Sequence, residues 1–162
     1  MTVSADERTR VGELLGRPPM GEFDVVVRSP DGSPAVLRNA PLMPDGTPMP
    51  TRFWLCDPAL RSAIGTVEAE GGVRRAEAEV APEDLVATHA AYARERDAAL
   101  PDGHPGPLPH GGVGGTRQGV KCLHAHYAHW LAGGDDPVGD WVHAELIARG
   151  LMPSSAPDRV GR

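Results

Sequence analysis

The chain has two cysteines in 162 residues, aromatics make up 4% of it, and it contains no run of lysine and arginine. Two cysteines exclude a disulfide scaffold and leave Cys56 and Cys122 as core residues, reactive thiols or metal ligands. The missing basic run, with 22 acidic against 16 basic residues and a net charge of -6, argues against a phosphate-backbone partner, so no nucleic acid is expected. No stretch approaches the roughly 18 apolar residues of a membrane span, and MTVSADERTR begins as a polar helix rather than a secretion signal. No membrane is expected, and the cytoplasm is the expected location. C-x-x-C, H-E-x-x-H, G-x-x-x-x-G-K-[ST] and G-x-S-x-G are all missing, which removes the standard zinc-finger, zincin, P-loop and serine-hydrolase readings.

What the chain does have is punctuation. Its 20 glycines and 17 prolines fall between periodic segments and concentrate in one loop. Ser4 and Glu7 form an S-x-x-E capping box ahead of a helix over residues 5 to 15. FDVVVRS and PAVLRNA flank Pro30-Asp31-Gly32 as a β-hairpin, and residues 52 to 55 read as a third short strand. Asp57-Pro58 caps a helix to about Glu70, after which the alternation in VRRAEAEV predicts a fourth strand. Pro82 opens a helix on which Leu85, His89, Tyr92 and Arg96 share one stripe. Residues 101 to 119 have no periodicity and form a loop longer than compact domains carry without a purpose. Helices follow over KCLHAHYAHWLA and from Asp136-Pro137 to Arg149. The expected architecture is α+β: a single small domain over residues 1 to 150, helices packed on a short, mainly antiparallel sheet, with 151 to 162 as a flexible tail.

The densest chemistry lies between Lys121 and His129, where three of the seven histidines stand beside Cys122. On a regular helix Cys122, His126 and His129 project within about 60° of one another, a ready face for a metal. His124 points to the far side of a regular helix but joins Cys122 and His126 in that site if residues 121 to 123 are still loop and the helix starts later. Thiolate and imidazole suit zinc above all, and also iron, so a transition metal is the expected cofactor, with Cys56 or His89 available to complete the ligand set. Against this stands the plain reading, in which Cys122 is a small buried hydrophobe and the histidines cap or face solvent, and a third in which a neighbouring histidine activates the thiol. Just upstream, Gly114, Gly115, Thr116, Arg117 and Lys121 bring backbone N–H groups and two cations to a helix start, a pattern that fits an anion; a flexible glycine linker is the competing account.

FDVVVRSPDGSPAVLRNAPLMPDGTPMPTRFWLCDP, the H-x-x-Y-A-x-E-R stretch at 89 to 96, and GGVGGTRQGVKCLHAHYAHWLAGGDDPVG together resemble the bacterial domain-of-unknown-function family numbered 501, over roughly residues 20 to 145. The resemblance implies a pattern built on Cys56, Cys122, His124 and His126, with Asp57 standing here between Cys56 and Pro58. Members are often encoded near a septum-formation protein, enolase and an exopolyphosphatase, which implies phosphate chemistry or a link to cell division. The reading that follows is a cytoplasmic metalloprotein with a Cys/His site and an adjoining anion pocket, acting as a metal-dependent hydrolase of a phosphorylated or otherwise anionic small molecule. The alternative is a non-catalytic module for a protein partner, linked to cell division, with a structural metal or none.

Overall fold

The computed structural model describes residues 3–161. Helix α1 (Ala5–Leu15) begins where the Ser4 hydroxyl accepts the Glu7 N–H at 3.1 Å, and it ends at Gly16 in the left-handed region. Strands β1 (Phe23–Arg28) and β2 (Pro34–Asn39) pair antiparallel, and β3 (Phe53–Leu55) adds antiparallel to β2, giving a sheet ordered β1-β2-β3. Asp57 then caps α2 (Pro58–Ala69) by accepting the Leu60 N–H, with Pro58 in the first turn.

The expected fourth strand is a helix, α3 (Gly72–Glu79). The alternation of VRRAEAEV misled because its alternating members, Ala, Glu and Arg, are good helix formers and poor strand formers. The burial that matters is helical: Ala76 and Val80 are buried and Val73 packs beside them at i, i+3 and i+7. Helix α4 (Pro82–Asp97) buries Leu85, His89, Tyr92 and Arg96, the stripe expected from spacing. A short 3-10 turn (Val113–Gly115) precedes α5 (Leu123–Leu131) and α6 (Pro137–Ala148).

Helix α5 is the hub. Leu123, His126, Tyr127, Ala128, His129, Trp130 and Leu131 are all buried, and the helix packs against β3, α6, α2 and the 113–115 turn. A helix buried on nearly every side lies inside the molecule, and its two buried histidines need polar partners there. The main core joins all three strands, β1 through Val27, and the helices after them, while Val11, Phe23, Leu37 and Cys56 form a separate cluster under α1. The result is a single small α+β domain. Within residues 151–161, expected as a flexible tail, two residues contact the C-terminal end of α5: the Val160 N–H donates to Leu131 O at 2.8 Å, and Arg159 donates to Trp130 O and Gly134 O while stacking over the Trp130 ring.

Candidate metal centre

The start of α5 falls at Leu123, so Cys122 is the N-cap residue with extended dihedrals (φ -149°, ψ 123°) rather than a member of the helix. That two-residue shift from the expected start at Lys121 regroups the candidate ligands. Cys122 meets His124 instead of His126, and the third member is Glu68 of α2, which sequence spacing did not single out. The ligating atoms of Glu68, Cys122 and His124 all lie within 4.8 Å of one another, and all three residues are half-buried.

Helix α2 positions this group from two places on one face, because Arg61 and Glu68 are seven residues apart, nearly two turns. His124 Nδ1 donates to Glu68 Oε1 at 2.9 Å and Nε2 donates to Arg61 O at 3.0 Å. A carboxylate and a carbonyl can only accept, so both ring nitrogens carry protons and the ring is an imidazolium. Burial opposes that charge, but the bonds with Cys122, Glu68 and Arg61 raise the His124 pKa to about 10. Burial likewise opposes the Glu68 carboxylate, yet His124 and the Leu123 and His124 N–H groups hold it below its ordinary value. Glu68 therefore fills the anion position at the α5 N-terminus: the Leu123 N–H reaches its Oε1 at 2.8 Å.

The other two α5 histidines build a different group. His126 Nδ1 faces both oxygens of Asp136 at 2.9 Å, and His129 Nδ1 faces Oδ2 at 2.9 Å. Asp136 also accepts the N–H groups of Val138 and Gly139, as the N-cap of α6. It is fully buried; against the cost of that burial the two imidazoles bring its pKa down to about 2, so it is an anion to which both rings donate. His126 Nε2 is buried without a hydrogen-bond partner among the described residues.

His89 is occupied elsewhere. Its Nδ1 accepts the Val113 N–H at 3.1 Å, so its Nε2 carries the proton donated to Gly119 O at 2.8 Å. Burial lowers its pKa, and the neutral ring ties α4 to the glycine loop at two points. Cys56 sits with Val11, Phe23 and Leu37, its thiol donating to Pro34 O at 3.3 Å. Burial and then the Asp57 charge push that thiol up to about 12. Neither His89 nor Cys56 is in the three-membered ligand group.

The glycine loop also divides. Gly114 (φ 68°) and Gly115 (φ 80°) both occupy the left-handed region that favours glycine. The Thr116 hydroxyl is spent within the loop on Gln118 O. Arg117 lines a cavity against α4, whereas Lys121, the chain's only lysine, precedes Cys122. Among the described residues no helix is long and apolar enough to cross a membrane.

A family model described as a protein of unknown function, DUF501, matches residues 25–144. The chain belongs to that family. No curated protein and no solved structure matched it.

Proposed function

We propose that the chain is a metalloprotein whose ligands are Glu68, Cys122 and His124. One observation carries the reading: a carboxylate, a thiol and an imidazole from two elements converge with their ligating atoms within 4.8 Å. The surroundings of His124 fit it. Metal-binding histidines usually donate their second ring N–H to a carbonyl or carboxylate, and here Nε2 is held by Arg61 O while Nδ1 faces Glu68. Binding then replaces the Nδ1 proton, so metal uptake releases protons and tightens as pH rises.

Zinc is the metal this donor set suits best, with iron second. Glu68, Cys122 and His124 would hold the ion with three protein ligands, and because all three are half-buried rather than enclosed, a bound ion would lie near solvent, as a catalytic rather than a closed structural site requires. Bound there, zinc would supply Lewis acidity, which makes hydrolysis of an anionic small molecule the reaction class to test. Lys121 is the adjacent exposed cation for the substrate's charge. Protein purified without an affinity tag or chelator is expected to carry near-stoichiometric zinc by elemental analysis. Cys122→Ser and His124→Ala are expected to lose it and His126→Gln to keep it. Metal-free wild type, folded and indifferent to added zinc, refutes the proposal.

A second reading is favoured by the imidazolium state of His124, set by Glu68 and Arg61, and by the closeness of that ring to the Cys122 thiol, which together suit a reactive thiol activated without metal. Alkylation by iodoacetamide separates the two. A ligated thiol reacts slowly until a chelator frees it, whereas an activated thiol reacts fast with or without the chelator.

A further inference from the structure

We infer that the cavity between α4 and the 109–117 loop binds a small molecule through one anionic group, a phosphate monoester or a carboxylate, held between Arg96 and Arg117. The inference does not rest on the metal centre, whose three ligands are not among the residues lining this cavity.

The cavity measures about 380 Å³, within the range of small-ligand sites and too small for a folded segment of another protein. Arg96 is only 1% exposed. Its Nη1 donates to the carbonyls of Pro50, His110 and Gly111 and its Nε to Asp97, while Nη2 has no partner among the described residues. A guanidinium is a fixed charge with a planar fork of donors, so a buried one with an uncommitted terminal nitrogen on a cavity wall is a strong anion acceptor. Arg117 lies on the same cavity, is exposed, and makes no hydrogen bond or ion pair among the described residues.

Charge on the lining favours an anion. Two guanidiniums face a single carboxylate, Asp97, and that carboxylate is already committed to Arg96 Nε at 2.9 Å. His89 adds no charge, because its neutral ring is fixed by Val113 and Gly119. The rest of the wall is apolar: Val86, Ala90 and Ala93 from α4, with Pro109 opposite. A ligand with an anionic head and a short apolar body matches both halves. Gly112 makes the arrangement feasible, since a Cβ there would lie 2.5 Å from His89 Cβ and the loop could not close on α4.

The test is titration of the full chain, followed by NMR and calorimetry, with phenyl phosphate, benzoate, inorganic phosphate and the neutral benzyl alcohol. Phenyl phosphate or benzoate is expected to bind and to shift the amides of Ala90, Ala93 and Arg117, and the tighter of the two names the natural class of head group. Arg117→Ala is expected to weaken binding by about tenfold or more, the cost of a charge-assisted pair, and Arg117→Lys to recover part of it. Arg96→Ala removes a structural tie and is not needed. Ala93→Leu, which fills the apolar half, is expected to abolish phenyl phosphate binding in a chain that still folds, and Cys122→Ser to bind as wild type does. Failure of both aromatic anions to bind, equal binding by Arg117→Ala, or equal binding of benzyl alcohol overturns the inference.

Discussion

His124 is the residue at which the account is most exposed to a pH experiment. Its folded pKa of about 10 lies above the ~6.5 of a free imidazole, so the folded state holds a proton that the unfolded chain releases. The stability from its pairing with Glu68 is therefore complete below about pH 6.5 and is lost as pH rises through 10. Denaturation of the chelator-treated protein between pH 6 and 10 should show wild type and His124→Gln converging as pH rises; a constant gap contradicts the ionic pairing. Asp136 is the other decisive residue. It is buried, anionic and shared by two imidazoles and two backbone N–H groups. Asp136→Ala strands those donors, at a cost of about 3–5 kcal/mol, the range for removing one partner of a buried charged group. A loss under ~1 kcal/mol by chemical denaturation would show that water replaces the carboxylate without strain.

At the scale of elements, the glycine loop is shaped by what it touches on α4. Gly112→Ala places a methyl 2.5 Å from His89 Cβ and 2.6 Å from its Nδ1. Overpacking of this kind costs about 1–3 kcal/mol, and thermal melts should show it. Gly65→Ala, in open space on α2, should leave the melting temperature unchanged or raised. Most elements were legible because local chemistry set them: the Ser4 cap, the Pro-Asp-Gly hairpin, the Asp57-Pro58 and Asp136-Pro137 starts, and the α4 stripe. The strand expected at VRRAEAEV failed because a period of two counts for little when its residues prefer helix and only Val73, Ala76 and Val80 turn inward. The site was half legible. Clustering of Cys122 with three histidines marked the segment that supplies two of the three grouped residues, but the start of α5 decides which of them meet, and no local pattern fixes a helix boundary to one residue. Glu68 was invisible because its role depends on how α2 packs against α5. Asp136 read only as a cap because its burial comes from the α5 histidines that surround it.

The molecule is organised around α5, which carries two chemically distinct groups along one short helix. Its N-terminal end presents Cys122 and His124 toward α2 and solvent; farther along, His126 and His129 are buried on Asp136, between β3 and α6. The buried group ties elements together, with His129 stacked on Phe53 of β3 and edge-on to Tyr92 of α4. The half-exposed group is therefore free to do chemistry without dismantling the core. This division is the central claim, and cobalt(II) titration of the metal-free protein tests it most directly, because a thiolate ligand to cobalt gives a near-ultraviolet charge-transfer band. One equivalent should produce that band in wild type and in His126→Gln, and no band in Cys122→Ser. Absence of the band in wild type, or its loss in His126→Gln with Cys122→Ser unaffected, would contradict the account.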